Sequence, residues 1–177
     1  VKIVRTPIDV GYFYAPVRVN SADKKGITIL GVGALSPQRR YEDIILAAVI
    51  LRKKGYDARV ILVCKDYWGD KGYREKFENF IHNSGIAQYI DARFRGATDR
   101  EFLEAIRASD VMIMANNIKV WSMAALEAMA AGLPLVVSRV TNIAGVLHDG
   151  NDALFVDALR PDQIVEKIEI LMNNHVL

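Results

Sequence analysis

Short runs of consecutive apolar residues alternate with longer amphipathic segments from residue 26 almost to the end of the chain. An apolar run rich in β-branched residues is typical of a strand buried on both faces, and apolar residues at helical spacing are typical of a helix that covers it. The alternation predicts an α/β protein with a doubly wound, mainly parallel sheet and helices on both faces. The predicted strands are 27–33, 58–64, 90–94, 110–115, 133–138 and 153–157, and the predicted helices are 40–54, 73–83, 98–108, 122–131 and 161–174.

Length and composition exclude several classes of protein. The chain has 177 residues, enough for one domain with a sizeable core, and its net charge of +2 is spread along the sequence, which argues against nucleic-acid binding. The longest clean apolar run, 44–51, is too short to cross a membrane and no signal peptide opens the sequence, so we expect a cytoplasmic protein. The single cysteine, Cys64, lies in a predicted strand and is expected to be a buried hydrophobic residue.

The predicted fold indicates where a ligand should bind. In open parallel sheets, ligands bind outside the carboxyl ends of the strands, where helix N-termini present unpaired backbone N–H groups to anions. Three predicted loops lie at this edge, namely 31–40, 95–98 and 116–122. The sequence therefore predicts a ligand site built from these loops.

The first of these loops contains two glycines and two arginines. Gly31 and Gly33 allow a ligand to approach the backbone closely, and Arg39 and Arg40 supply positive charge suited to phosphate. A dinucleotide-binding fingerprint would need a further glycine shortly after Gly33, so nicotinamide binding is disfavoured. The same residues also fit a strand-ending turn in which Ser36 caps a helix and both arginines are solvated, and the loop by itself leaves both interpretations open.

Glu127 is the only charged residue between Lys119 and Arg139, on a predicted helix that is otherwise apolar. A buried carboxylate is costly unless it finds hydrogen-bond donors, and the vicinal hydroxyls of a ribose would supply them because an ionised carboxylate only accepts. The alternative is a glutamate on the solvated edge of the helix. Trp121 and Trp68 fit either stacking on a base or sugar or ordinary packing.

The three histidines, His82, His148 and His175, are far apart in the sequence and show no metal-ligand spacing. We expect them in surface or capping positions, so the sequence predicts no metal site.

The order of elements, together with several motifs, resembles one family. The segment EAMAAGLPLVVS at 127–138 is similar to the C-terminal, nucleotide-sugar-binding half of the retaining glycosyltransferases of group 1, whose members have two Rossmann-like domains. The likeness covers nearly the whole chain. Its other motifs are TPIDVGYFYAP (6–16), LSPQRRYEDIILAA (35–48), FRGATDREFLEAIRASD (94–110), SDVMIMANN (109–117) and HDGNDALFVD (148–157).

The resemblance implies a role for each matching residue. Glu127 matches the glutamate that holds the ribose hydroxyls of the donor, and Arg39 matches the basic residue that contacts the donor diphosphate, which makes it a candidate catalytic residue. No metal ion or cofactor is implied beyond the donor itself, such as a UDP- or GDP-sugar. The remaining implied donor-binding positions are Gly33 in the first loop, Arg95, Gly96 and Ala97 in the loop that contacts the base, and Trp121, Ser122, Met123 and Ala124 at the entry to the helix.

Several positions depart from the family pattern. Lys119 stands where the family has the glutamate that contacts the donor sugar, and it is a second candidate catalytic residue although lysine cannot accept a hydrogen bond. Ala34 stands where an arginine is common. Thr141, Asn142 and Gly145 stand where the family has a glycine pair and a glutamate.

These features predict that 26–177 is the donor-binding domain of a glycosyltransferase that transfers a sugar from a nucleotide-sugar to an acceptor, with retention. Residues 1–25 would be a lead-in segment packing on this domain, and the start at Val1 without a methionine agrees with a fragment. The acceptor would be bound mainly by an absent N-terminal domain, so the fragment alone would be inactive. The parent protein would act with or without peripheral contact to a membrane.

The departures leave a second interpretation open. The chain is also compatible with a degenerate, non-catalytic version of the fold that serves as a binding or assembly module. A nucleotide-sugar epimerase of the same architecture is disfavoured by the spacing of the motifs.

Overall fold

The computed structural model of the protein describes residues 8–14, 26–67 and 71–173, so the predictions for Trp68 and His175 lie outside the described residues. The strands are β1 (Gly26–Ala34), β2 (Asp57–Lys65), β3 (Ile90–Arg93), β4 (Val111–Met114), β5 (Leu135–Ser138) and β6 (Leu154–Val156). The helices are α1 (Val10–Phe13), α2 (Tyr41–Lys53), α3 (Lys71–Asn83), α4 (Asp99–Ala108), α5 (Met123–Ala130) and α6 (Pro161–Asn173). Short 3-10 helices lie at Pro37–Arg39, Ala87–Tyr89 and Ile143–Gly145.

The six strands form one sheet in the order β3-β2-β1-β4-β5-β6, and every neighbouring pair is parallel. The prediction of a doubly wound α/β fold is confirmed. The chain order of the strands reverses between β1 and β4, which makes the carboxyl ends of these two strands the switch point where such sheets bind ligands.

Except in the edge strand β3, apolar side chains of the strands alternate between two hydrophobic clusters, one on each face of the sheet. Ile27 and Ile29 of β1 join the cluster under α2, α3 and α6, whereas Leu30 and Val32 join the cluster under α4 and α5. Successive side chains of a strand point to opposite faces, so both faces must be apolar when helices cover both. This explains why the strands appear in the sequence as continuous apolar runs.

Gly31 fixes how closely α2 approaches the sheet. A Cβ atom at this position would lie 2.8 Å from Cδ2 of Leu62 and 3.0 Å from Cδ1 of Ile44, closer than packed carbon atoms tolerate. The absent side chain lets α2 sit directly on β1, and so it sets the height of the loop that joins them.

The described part of the lead-in segment, 8–14, forms α1. Asp9 caps this helix by accepting a hydrogen bond from the Tyr12 N–H at 3.0 Å. Phe13 is buried in the second cluster and packs edge-to-face on Phe102 of α4, with ring centroids 6.3 Å apart.

Cys64 is fully buried in β2, as the sequence predicts, and burial raises the pKa of its thiol to about 12. Within the described ranges, every helix is too short or too polar to cross a lipid bilayer.

Candidate functional site

Two of the three predicted loops meet at the switch point between β1 and β4. The backbone N–H of Asn117, after β4, donates to the carbonyl of Gln38, after β1, at 3.1 Å. A further loop joins them, because the N–H of Asn142 after β5 donates to the carbonyl of Val120 at 3.0 Å. Main-chain hydrogen bonds therefore hold three loops together at one edge of the sheet.

The guanidinium of Arg39 lies directly against the backbone of Gly33. A Cβ atom at Gly33 would be 2.9 Å from both Cζ and Nε of Arg39, and Gly33 has a φ of +144°, which favours glycine. Among the described residues, Arg39 has no hydrogen-bond or ion-pair partner. A permanently charged, planar donor thus stands free at the carboxyl end of β1.

The neighbouring arginine has a different environment. Arg40 takes the left-handed conformation, φ 55° and ψ 44°, so α2 begins one residue later than predicted. Its Nε and Nη2 donate to the two carboxylate oxygens of the buried Asp43 at 2.9 and 2.7 Å, and this pairing raises the pKa of Arg40. Ser36 makes no side-chain capping hydrogen bond. The alternative of a Ser36 cap with two solvated arginines is therefore wrong for Ser36 and for Arg40.

The start of α5 carries uncompensated positive charge. Ser122 is its N-cap, and its Oγ accepts a hydrogen bond from the Ala125 N–H at 3.2 Å. The first turn of α5 has no acidic residue, whereas α2, α4 and α6 each have at least one. Because a helix N-terminus carries a partial positive charge and unpaired N–H groups, this end of α5 is suited to an anion.

Glu127 lies one turn further along α5 and is partly buried. Burial raises the pKa of its carboxyl group, and the charge of Asp99 at the start of α4 raises it further. Within the described part of the chain, no residue donates a hydrogen bond to this carboxylate. The half-buried position of Glu127 fits both the solvated edge of the helix and a carboxylate that accepts hydrogen bonds from a ligand.

The loop 95–98 is braced by a network of charged groups. Glu101 accepts hydrogen bonds from the N–H of Thr98 at 2.9 Å and from its hydroxyl at 3.0 Å, which completes the predicted capping box of α4. Arg95 donates to both carboxylate oxygens of Glu101, and this pairing holds the pKa of Glu101 at about 2. The side chain of Arg95 is thus committed to the cap. Gly96 is buried against Lys65 with a φ of +79°.

The loop between β4 and α5 holds the remaining predicted residues. Lys119 is exposed, and it makes no hydrogen bond or ion pair with any described residue. Trp121 is half-buried and packs against the second cluster together with Ala124, and Ala97 from the 95–98 loop joins the same cluster. Met123, the first residue of α5, is partly exposed.

Three contributors to this region escape prediction from the sequence. Asn116, which follows β4, is 2% exposed, and its Nδ2 group has no hydrogen-bond partner in the described ranges. The repeated asparagines after an apolar strand are a weak signal for such a residue. Asp43 and Asp99 look like ordinary acidic residues of a first helical turn, and their effects on Arg40 and Glu127 depend on the tertiary structure.

Metal-binding geometry is absent from the described residues, in which no three His, Cys, Asp or Glu side chains are grouped to hold an ion. His82 is exposed on α3, and His148 is exposed with its Nδ1 2.7 Å from the carboxylate of Asp152. Both histidines occupy the surface positions that the sequence predicts.

Comparison with known proteins gives a consistent result. A family model described as glycosyl transferases group 1 matches residues 17–176. The D-inositol 3-phosphate glycosyltransferase of Paenarthrobacter aurescens is 25% identical over 173 residues, 94% of this chain and 42% of that protein. An uncharacterised glycosyltransferase of Methanocaldococcus jannaschii is 28% identical over 148 residues, 84% of this chain and 39% of that protein. The chain thus spans about two fifths of the length of these curated relatives.

Solved structures share the fold. The C-terminal domain of a group 1 family glycosyltransferase from Francisella tularensis superposes with a TM-score of 0.75 at 22% identity, covering 95% of this chain and 89% of that domain. Anabaena HepE, solved in complex with UDP and glucose, superposes with a TM-score of 0.82 at 15% identity, covering 98% of this chain and 47% of HepE.

Proposed function

Because the chain belongs to the group 1 family of glycosyltransferases, we propose that 26–177 is the donor-binding domain of an enzyme that transfers a sugar, with retention, from a nucleotide-sugar to an acceptor. One observation carries the proposal: the N-terminus of α5, which has no acidic residue, lies at the switch point, and the loop before it is hydrogen-bonded to the loop of the unpaired Arg39. The complexes of HepE with UDP and with UDP-glucose support a uridine diphosphate donor.

We assign the diphosphate, the ribose and the base of the donor to separate groups of residues. Arg39 and the N–H groups at 121–124 bind the diphosphate, and the missing side chain of Gly33 leaves room for the Arg39 guanidinium beside it. Glu127 accepts hydrogen bonds from the two ribose hydroxyls, which supply the donors that its carboxylate lacks in the described chain. The backbone of 95–97 contacts the base, and the Arg95–Glu101 pair keeps that loop in place.

The chemistry needs little from the domain beyond position and charge. The bond between the anomeric carbon and the phosphate oxygen breaks with its electron pair on the oxygen, and the acceptor oxygen bonds to the same carbon. The acceptor hydroxyl gives its proton to an oxygen of the departing diphosphate. Arg39 and the positive end of α5 stabilise the charge that builds on the departing diphosphate. The group 1 resemblance supports doing this without a bound metal.

The whole protein would pair this domain with a second one. Residues 1–25 connect this domain to an N-terminal domain that binds most of the acceptor, and the reaction takes place between the two in the cytoplasm, with or without peripheral contact to a membrane. The 177-residue chain alone binds nucleotide and turns over little.

The test is a titration of the chain with UDP, GDP and ADP, followed by calorimetry and thermal unfolding. We expect one diphosphate to bind and to add about 2.7 kcal/mol to the free energy of unfolding at 100 times its dissociation constant. Failure of all three to bind would overturn the proposal.

Glu127→Ala and Glu127→Gln test the ribose contact. We expect Glu127→Ala to lower the affinity for the diphosphate about 10-fold. Glu127→Gln keeps the shape and one acceptor oxygen, so it should lower the affinity less. Because the pKa of Glu127 is raised, affinity for the diphosphate should fall with decreasing pH sooner than for an ordinary glutamate. Equal binding by the Ala variant and the unmodified chain would remove Glu127 from the site.

A second candidate function is a degenerate module that keeps the fold without catalysis. The observation that favours it is Lys119, an exposed cation where the family has a glutamate. The full-length protein should then be inert in donor hydrolysis and gain activity with Lys119→Glu. Activity that is present in the natural sequence and lost with Lys119→Glu would exclude this alternative.

A further inference from the structure

Lys119 differs from most charged side chains of the described residues in having no partner. Ten arginine and lysine side chains pair with carboxylates: Arg40, Arg52, Lys54, Arg59, Arg74, Arg93, Arg95, Arg100, Arg139 and Arg160. Unpaired lysines on a helix surface are ordinary, but Lys119 lies in a loop at the ligand edge of the sheet. Because of this position, a lysine without an acidic partner is available to bind a ligand.

The loop of Lys119 is held next to the loop of Arg39, which binds the diphosphate in the proposed site. Two residues before it, the Asn117 N–H is bonded to Gln38, which immediately precedes Arg39. Three residues after it, Ser122 caps α5, and three residues span at most about 10 Å. Lys119 and Arg39 therefore stand on two hydrogen-bonded loops, and Lys119 lies within about 10 Å of the N-cap of α5.

Several unpaired hydrogen-bond donors lie in this region. The described residues include the orphan Nδ2 group of Asn116 in the same loop, the free guanidinium of Arg39, and an α5 first turn that has no acid. A lysine before a helix N-terminus is unfavourable for the helix itself, because both are positive. Such a concentration of donors and positive charge is suited to a ligand that carries several negative charges.

We propose that Lys119 is a second cationic ligand of the donor diphosphate, acting with Arg39, and that it binds the free nucleoside diphosphate more strongly than the nucleotide-sugar. This inference rests on the proposed function and gives Lys119 a role that the family glutamate cannot perform. Lysine donates three N–H groups and accepts none, so it suits phosphate oxygens rather than sugar hydroxyls that must donate.

The preference for the free diphosphate follows from charge. A terminal phosphate carries about −1.5 to −2 near pH 7, whereas a phosphate esterified to a sugar lacks the second ionisation and carries about −1. A cation near that phosphate therefore gains more from the product than from the donor. A side chain that binds the more negative product more strongly also stabilises the negative charge that develops on the diphosphate as the glycosidic bond breaks.

The experiment measures dissociation constants of the 177-residue chain by calorimetry at low and moderate salt. The ligands are the diphosphate selected by the titration above, its nucleoside, its glucose conjugate and its glucuronate conjugate. The variants are Lys119→Ala, Lys119→Arg and the control Lys76→Ala, which removes an exposed lysine from the middle of α3. Thermal unfolding checks that each variant is folded.

We expect Lys119→Ala to lower the affinity for the free diphosphate about 10-fold and the affinity for the glucose conjugate about 3-fold. The affinity of this variant for the diphosphate should depend less on salt, and its affinity for the nucleoside should not change. Lys119→Arg should restore most of the affinity, and Lys76→Ala should change nothing.

Three outcomes would overturn the inference. If the Ala variant binds every ligand like the unmodified chain, Lys119 is not a ligand. If it loses affinity only for the glucuronate conjugate, Lys119 contacts an acidic sugar instead. If the unmodified chain binds no nucleotide, the proposed function fails as well, and this result is distinct from the other two.

Discussion

The N-termini of α4 and α5 lie at the same edge of the sheet, but they differ in charge. At α4, Thr98 and Glu101 form a capping box and Arg95 pairs with Glu101, so the helix end is neutralised by its own side chains. At α5, Ser122 caps a single N–H, the first turn has no acid, and Arg39 stands unpaired nearby. The first helix end is arranged for stability. The second keeps its positive charge unpaired by acidic residues of its first turn.

The largest expected effects separate two consecutive arginines. Arg40→Ala should lower the free energy of unfolding by about 2 to 3 kcal/mol, because it leaves the buried Asp43 without its cation. At temperatures where the variant is fully folded, its affinity for the diphosphate should change little. Arg39→Ala should change the free energy of unfolding by no more than about 0.5 kcal/mol and lower the affinity for the diphosphate about 10- to 100-fold. Urea unfolding and calorimetry on both variants measure the two quantities.

Arg40→Gly serves as the control for the backbone at this position. Glycine tolerates the φ of 55° at Arg40, so this variant should be about 1 kcal/mol more stable than Arg40→Ala. The distinction between the two arginines would be wrong if Arg39→Ala destabilised the fold as much as Arg40→Ala.

A smaller effect should follow from making the start of α5 resemble that of α4. Met123→Glu places an acid in the acid-free first turn, where it should stabilise the helix by about 0.3 to 1 kcal/mol and weaken the diphosphate about 10-fold. Met123→Gln has nearly the same shape without the charge and should leave both quantities close to their original values. If the Glu and Gln variants bind the diphosphate equally, the charge of this helix end is irrelevant to binding.

The smallest effect concerns the cap of α4. The pKa of Glu101 is held at about 2, below its ordinary value of 4.5, so its contribution to stability is complete above pH 4.5 and is lost as the pH falls through about 2. Glu101→Gln should therefore lower the thermal midpoint at neutral pH, and the difference from the unmodified chain should vanish near pH 2. A difference that is constant over this range would show that the ionised form is not what stabilises the cap.

The fold was predictable because each element carries a local signal. Continuous apolar runs mark strands covered on both faces, and Gly55 and Gly132, both with positive φ, follow the ends of α2 and α5 as helix stop signals. The capping box of α4 was equally local, since Thr98 and Glu101 lie three residues apart.

The candidate site was predictable only in outline. Sequence spacing places Arg39 and Arg40 in one predicted ligand loop, but their different environments follow from the left-handed conformation of Arg40 and the burial of Asp43. The influence of Asp99 on Glu127 joins residues 28 positions apart, on different helices. Such effects depend on packing, which local patterns do not encode.

The main-chain hydrogen bonds from Asn117 to Gln38 and from Asn142 to Val120 have an evolutionary consequence. Because these links use only backbone atoms, the side chains around them can be exchanged without altering how the loops are spaced. Substitutions at positions such as 119 and 34 can therefore change the chemistry of the site while the fold and the spacing of its loops are kept.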